Sequence, residues 1–343
     1  MKRLANVLYI TTPEAYLSLD GENIVIRKDE STSTRLPLHN IENIVCFNWQ
    51  GVSPGLMAAC VERHIGLTFL SPNGRFLARV SGQVQGNVLL RRKQFMTTDN
   101  ETERLPVAIS FLLGKLYNCR KVLERGIRDH GMLVNVEALA GASNSLRETI
   151  KLLPKCQSTA DLMGFEGSAA KIYFGVFDHL ILQQKEEFRF EERNRRPPLD
   201  NMNSLLSFLY TLLTNEVVSA LETVGLDPFM GFLHRDRPGR PSLALDLMEE
   251  LRPVMADRLA LSLVNRKQIT AKGFVKKESG AILMNDETRK TILTAWQERK
   301  KEELMHPYLK EKIPFGLLPH VQAMLLARHL RSDLDAYPPF FWS

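Results

Sequence analysis

The sequence predicts a multidomain α and β protein: a small N-terminal β domain with one inserted helix, followed by a larger all-α domain. Three observations lead there. The chain has 343 residues, long for one hydrophobic core and comfortable for two. Short apolar runs broken by turn residues fill its first part. Beyond Val88 the apolar spacing turns helical and turn signals thin out. The division is placed at 1–90 for the β domain and 91–343 for the helical domain.

Ala15 to Leu19 and Asn23 to Arg27 flank Asp20-Gly21, a hairpin signal. Leu36 to Leu38 and Ile41 to Phe47 add further short strands. Ser53-Pro54 opens a helix, with serine as N-cap and proline at the first position, ending near Gly66. Leu67 to Ser71 and Arg75 to Val80 form a hairpin around Pro72-Asn73-Gly74. Residues 105–150 read as one or two helices and 158–184 as another, with Ser158 and Asp161 as a capping box. The charged stretch Lys185 to Asp200 holds Pro197-Pro198 and is expected to be mobile without a nucleic-acid ligand. Helices resume at Met202 to Thr223, Ser242 to Asn265, Asp286 to Leu304 and Pro319 to Leu334.

A formal net charge of +6 favours an anionic partner such as nucleic acid. The four cysteines, Cys46, Cys60, Cys119 and Cys156, form no C-x-x-C pair, which excludes a zinc ribbon or a thioredoxin-type motif. They read as free thiols in a reducing compartment. No run approaches the roughly 18 continuous apolar residues of a membrane span. Met1-Lys2-Arg3-Leu4 leads into a strand pattern rather than a signal peptide's apolar block, so a cytoplasmic protein without membrane contact is expected.

Three segments of the helical domain carry potential chemistry. In Gly164-Phe165-Glu166-Gly167-Ser168-Ala169-Ala170-Lys171-Ile172-Tyr173-Phe174, positions 164, 167 and 170 make a small-residue stripe beside Glu166. Glycine inside a helix costs roughly 1 kcal/mol relative to alanine, so a close backbone or a ligand is expected to compensate. A tight helix–helix contact with a solvent-facing glutamate accounts for the same residues. The second segment, Gly231 to Pro241, places His234 at the head of a turn holding Arg235, Arg237 and Arg240. Such crowding suits a phosphate-facing loop, and a solvated basic loop fits as well.

The third segment runs from Ser242 to Pro253. Leu245, Met248 and Leu251 share a buried side, while Asp246, Glu249 and Glu250 fall at i, i+3 and i+4 as an acidic stripe. A solvated acidic face explains the stripe, and so does a cation site. One imidazole with carboxylates from different helices is an oxygen-rich donor set. It suits Mg²⁺ or Mn²⁺ better than a structural zinc. A divalent ion among arginines is what phosphodiester chemistry requires. A non-catalytic, architectural DNA-binding protein is the competing reading. It explains the charge and the arginine loop, but not an acidic stripe beside that loop.

These three segments resemble the ligand motifs of the CRISPR-associated integrase and endonuclease family of spacer acquisition. Arg196-Pro197-Pro198-Leu199-Asp200-Asn201-Met202-Asn203-Ser204-Leu205-Leu206-Ser207-Phe208-Leu209-Tyr210 is similar to the family's intervening segment, and Asp257 to Asn265 also fits. The wording around His234 and Asp246 looks most like the type I-C branch. Where the family's familiar D-P-x-N-A stands, this chain reads Asp200-Asn201-Met202-Asn203-Ser204, which touches no expected ligand. The resemblance implies Glu166, His234 and Glu249 as metal ligands. It implies phosphate contacts from Arg195, Arg196, Arg235, Arg237 and Arg240. It also implies a homodimer formed through the β domain, a small ferredoxin-like partner subunit, and partly double-stranded DNA. Type I-C membership would add an iron–sulfur adaptation nuclease. The reaction implied is attack of a 3′-hydroxyl on a phosphodiester, and the absence of a G-x-x-x-x-G-K-[ST] loop agrees with chemistry that needs no nucleoside triphosphate.

Among the three acids, helical geometry favours Glu249. Glu250 is rotated about 100° from it. Pro253 removes the hydrogen bond to the carbonyl of residue 249 and should bend the helix there. Asp246 is then expected as a group that orients His234 or a water, or as a ligand for a second ion.

Overall fold

The computed structural model describes residues 6–28, 33–47, 50–71, 76–82, 88–194 and 197–343. Its N-terminal part holds β1 (Val7–Ile10), β2 (Tyr16–Asp20), β3 (Asn23–Arg27), β4 (Ser33–Pro37), β5 (Asn43–Cys46), α1 (Pro54–Glu62), β6 (Gly66–Leu70) and β7 (Phe76–Val80). They form two sheets. An antiparallel β2-β3-β4 meander pairs Ser18 with Val25 and Val25 with Arg35. The second sheet is mixed, in the order β1-β5-β6-β7, with β7 antiparallel to β6 and the others parallel.

Gly21 turns the β2–β3 hairpin with a φ of 58°, a conformation glycine adopts without penalty. The Ser53 hydroxyl caps α1 by accepting the Leu56 N–H at 3.2 Å, with Pro54 in the first turn. Leu38, expected in a strand, instead begins a single 3₁₀ turn, Leu38–Asn40. The expected Pro72-Asn73-Gly74 turn lies outside the described residues.

Alternation along β5 joins two cores. Ile44 and Cys46 point into the β region's own core with Leu17, Ile24, Leu56 and Leu67. Val45 and Phe47 point the other way, into the helical core. Phe47 meets Phe208 there, ring centroids 6.0 Å apart.

The helices are α2 (Val88–Asp99), α3 (Glu101–His130), α4 (Val136–Leu152), α5 (Thr159–Gly175), α6 (Asn201–Val224), α7 (Ser242–Arg252), α8 (Arg258–Asn265), α9 (Asp286–Lys301) and α10 (Leu318–Leu330). Asparagine caps separate three of them from what precedes: Asn100 accepts from Thr102 N–H, Asn135 from Ala138 N–H and Asn285 from Thr288 N–H. Ser158 caps α5 by accepting from Asp161 N–H, and the Asp161 carboxylate accepts the N–H of Gln157 rather than that of Ser158. α5 stops at Gly175, short of the expected 184, and a 3₁₀ turn, Phe177–Leu180, tucks Phe177 and Leu180 into the core. The expected continuous helix from Ser242 to Asn265 is interrupted at Pro253, where a π-helical turn, Pro253–Asp257, separates α7 from α8.

The helical part is not all-α. It carries two antiparallel ribbons, β8 (Phe274–Lys276) with β9 (Ile282–Met284), and β10 (Glu303–Met305) with β11 (Lys312–Pro314). Strands of three residues are too short to show an alternation in sequence. The stretch 185–200 is not a solvated linker where it is described. Phe188 and Phe190 are buried, and Asn203 on α6 ties to Glu192 and Asn194. Charge hid these aromatic anchors from a compositional reading. Of the described helices, α6 alone is long and apolar enough by composition to cross a membrane, and most of it is buried inside the protein.

Helix α3 packs along α4, α5 and α7 and so underlies the candidate site. Its Gly114 permits the close approach to α7, since a Cβ there would lie 2.8 Å from Glu250 Cβ.

Candidate metal and nucleic-acid site

The three acids of α7 are buried rather than spread over a wet face: Asp246 and Glu250 are 0% exposed and Glu249 is 2% exposed. Every residue from 246 to 251 is buried, so α7 lacks the solvent-facing side its spacing suggested. Each acid turns to a different set of partners, which removes the mutual repulsion expected of a stripe.

Asp246 faces the segment before α7. Its Oδ2 accepts the N–H groups of Phe232 at 2.6 Å and Leu233 at 2.9 Å. Its Oδ1 accepts the His234 N–H at 2.9 Å and lies 2.6 Å from His234 Nδ1. With Nδ1–H donating to Asp246, the ring's Nε2 keeps its lone pair for another partner. Gly231 makes this packing possible, because a Cβ would sit 2.7 Å from Ser242 Cβ and 2.9 Å from Asp246 Oδ2. His234 is half-buried, whereas Arg235 and Arg237 are exposed and Arg240 is partly so. Arg195 and Arg196 lie outside the described residues.

Glu249 faces α3 and α5. Lys115 Nζ from α3 pairs with it at 2.9 Å, and Arg252, one turn on, pairs with its other oxygen. Burial opposes its charge, but Arg252 and Lys115 outweigh that and hold its pKa at about 2. The same Lys115 ammonium pairs with Glu166 of α5. Burial alone would discharge Lys115. Glu249 and Glu166 reverse this and raise its pKa above the usual lysine value.

Glu250 turns away. It accepts hydrogen bonds from the Tyr337 hydroxyl, from Gln322 Nε2 at 3.0 Å and from the Phe340 N–H at 2.7 Å. Burial pushes its carboxyl up to about 7 against those bonds. The C-terminal segment is thereby stitched to the back of α7. Asn118 of α3 reinforces this by donating to the carbonyls of Glu250 and Phe340.

Around Glu166, the glycines expected to mark a tight contact do not. A Cβ on Gly164 or Gly167 would meet nothing within 4 Å, so these positions border open space. Below them, Tyr173 of α5 and Tyr210 of α6 both donate to Asp257, at 3.1 and 2.6 Å. Burial pushes the Asp257 carboxyl up to about 6, partly offset by those hydrogen bonds and by Arg252. The Arg252 guanidinium lies 4.8 Å from the Tyr210 ring centre, a cation–π contact joining this network to Glu249.

Lys115 and Asp257 are the site residues that the sequence reading missed. Lys115 left a signal: it stands on the buried side of α3, among Phe111, Leu112, Leu116 and Cys119. A lysine there is almost never left without a partner. Asp257 left less, being one acid in an apolar helical run.

The residues fit a hard divalent cation by donor chemistry. Two carboxylates from different helices already share one cationic partner, and Glu249 Oε2 has no well-aligned hydrogen bond despite its burial. His234 adds an imidazole whose other nitrogen is fixed by Asp246. Among the described residues no three His, Cys, Asp or Glu side chains stand together as a ready ligand cluster.

Comparison with known proteins bears on the family and the fold. The family model described as "CRISPR associated protein Cas1" matches residues 8–298. A CRISPR-associated endonuclease Cas1 from Rhodospirillum rubrum is 53% identical over 347 residues, covering 100% of both chains. Another from Chlorobaculum tepidum is 50% identical over 342 residues, again covering 100% of both. The solved structure of a Cas1 protein from Thermotoga maritima superposes with a TM-score of 0.82 at 25% identity, covering 97% of this chain and 99% of that one. Its likeness spans both the N-terminal sheets and the helices. From full-length identity of this order and a shared fold, the chain belongs to the CRISPR-associated protein Cas1 family.

Proposed function

We propose that this chain is a metal-dependent DNA endonuclease and integrase of the CRISPR adaptation complex, which inserts short DNA fragments into the repeat array. One observation carries the reading: Glu166 and Glu249, from separate helices, converge on a single cation position, with His234 held nearby by Asp246. An architectural DNA-binding role accounts for the basic loop but gives no reason for carboxylates of two helices to meet beside it.

Glu166, Glu249 and His234 Nε2 would hold the ion, Mg²⁺ or Mn²⁺, which when bound polarises the scissile phosphate and stabilises charge on the attacking and leaving oxygens. The remaining work falls to the chain. Asp246 fixes the His234 tautomer and the backbone that carries it. Arg252 keeps Glu249 ionised. Arg235 and Arg237, exposed on the loop after His234, reach phosphates flanking the reacting one. Arg240, Arg195 and Arg196 are assigned the same role. In strand transfer the new bond joins a 3′-oxygen to phosphorus as the repeat's own P–O3′ bond breaks, so no external energy source is consumed. In hydrolysis, the activity in the relatives' names, water takes the place of the 3′-hydroxyl.

The partners proposed are partly double-stranded DNA, a second copy of the chain contacting it through residues 1–90, and a small ferredoxin-like subunit. Type I-C membership, read from the wording around His234 and Asp246, would add an iron–sulfur nuclease. The test is an integration assay with the purified chain, the partner subunit, a labelled fragment and a repeat-bearing plasmid, with and without Mn²⁺. Glu166→Ala, His234→Ala and Glu249→Ala should each abolish strand transfer while DNA binding persists. Full activity in any one of them removes that residue from the site.

A further inference from the structure

We propose that Lys115 is a built-in counter-cation of this site: its ammonium holds the place between Glu166 and Glu249, and a divalent ion binds only as that ammonium withdraws. The inference rests on the metal reading above and goes beyond it by naming the competitor.

Lys115 stands on α3, with its side chain 7% exposed. Its neighbours on that side are Phe111, Leu112, Leu116 and Cys119, which offer an ammonium nothing. A buried charge persists only when paired. Its partners are Glu166 and Glu249, and each gives it an oxygen.

The charges balance without a metal. Two carboxylates face two cations, Lys115 and Arg252, and Arg252 already takes the Glu249 oxygen that Lys115 does not. Both glutamates are therefore held close to each other by the Lys115 ammonium they share. A divalent ion reaching the same two carboxylates enters a space that an ammonium occupies. In a site this buried, the repulsion between them is weakly screened. One of the two cations must leave. Arg252 is pinned by Tyr210 as well as Glu249. Lys115 has a flexible four-carbon stem and no other ionic partner within 4.0 Å among the described residues. It is the group that can move.

Competition of this kind makes a distinctive prediction: removing the ammonium strengthens metal binding, whereas removing a merely supportive residue weakens it. The experiment measures Mn²⁺ binding to the full chain by calorimetry for wild type, Lys115→Met and Glu249→Gln. Methionine keeps the length and apolar stem without the charge. The expected result is Mn²⁺ bound at least tenfold more tightly by Lys115→Met than by wild type. Its thermal stability should fall in EDTA and recover with Mn²⁺ by more than wild type's does. Equal or weaker Mn²⁺ binding by Lys115→Met overturns the proposal and leaves the metal reading standing. Mn²⁺ binding that Glu249→Gln leaves unchanged overturns the metal reading, and this inference with it. If Lys115→Met does not fold, wild-type protein labelled with ¹³C-lysine gives the answer under Mg²⁺ titration. The Lys115 ε-carbon signal should shift as the ion binds, and a signal unmoved at saturation overturns the proposal.

Discussion

Asp246 Oδ1 and His234 Nδ1 stand 2.6 Å apart, and the same carboxylate accepts the backbone N–H groups of Phe232, Leu233 and His234. One buried acid thus sets both the orientation of the ring and the path of the chain that carries it. Replacing Asp246 with asparagine puts an amide donor where an N–H already donates. We expect Asp246→Asn to weaken metal affinity by roughly 10–100-fold, the usual cost of losing such an orienting partner. Stability should fall by about 1–3 kcal/mol, because a buried N–H loses its acceptor. Calorimetric Mn²⁺ titration and urea unfolding measure the two effects separately. Wild-type affinity in the variant would show that the ring needs no orienting acid.

Two glycines should respond in opposite directions. At Gly231 an added methyl would meet Ser242 Cβ at 2.7 Å and Asp246 Oδ2 at 2.9 Å. Gly231→Ala should cost about 1–3 kcal/mol by overpacking, and should reduce strand transfer by displacing Asp246. At Gly164, inside α5, the methyl meets nothing within 4 Å. Gly164→Ala should stabilise by roughly 0.5–1 kcal/mol, the ordinary gain of alanine over glycine in a helix. Denaturation midpoints of the two variants decide both. A destabilised Gly164→Ala would reveal a neighbour packed where open space is now seen.

Asp257 predicts a pH dependence of stability with a definite sign. Burial raises its carboxyl from the ordinary 3.8 to about 6. The folded chain therefore holds this proton more tightly than the unfolded chain does. The stabilising contribution is complete below about pH 4 and is lost as the pH rises through about 6. Over the whole window the effect is at most on the order of 3 kcal/mol. Asp257→Asn stays neutral throughout, so its stability should gain on wild type between those limits. Urea midpoints at a series of pH values test this. A constant difference between variant and wild type across the window would contradict it.

DNA affinity should depend steeply on salt and little on sequence. Arg235 and Arg237 are exposed on the turn after His234, where each can neutralise a phosphate. Replacing either with alanine should lower the slope of log affinity against log salt by about 0.9 on duplex DNA. Fluorescence anisotropy with labelled duplex across a salt series measures it. An unchanged slope in the double variant would place the phosphate contacts elsewhere.

Much of this protein was readable without coordinates, because the relevant signals are local. Two-residue and 3.6-residue periodicities found the sheets and most of the helices, and Ser53 and Ser158 marked helix starts through bonds made within one turn. That Glu249 and Glu250 face apart needed only the angle between consecutive helical residues, and the break in the helix needed only the position of Pro253. Both features are seen: Glu250 turns to Tyr337 while Glu249 turns to Lys115, and a π-helical turn begins at Pro253. The short ribbons and the folded stretch around Phe188 escaped because their anchoring contacts are distant in sequence.

Local patterning along the chain is enough to reveal the order of sheets and helices, the three motifs and the side of α7 that bears Glu249. What those acids meet depends on packing between segments far apart in the chain. Lys115 reaches Glu166 across 51 positions of chain, and Tyr210 reaches Asp257 across 47. A helix face is set by neighbours three and four residues away. Which charge is desolvated, and which opposite charge is close enough to keep it ionised, is set by packing between helices. That is why an acidic stripe on paper becomes, in the folded chain, one acid orienting a histidine, one facing a lysine, and one holding the C-terminal segment.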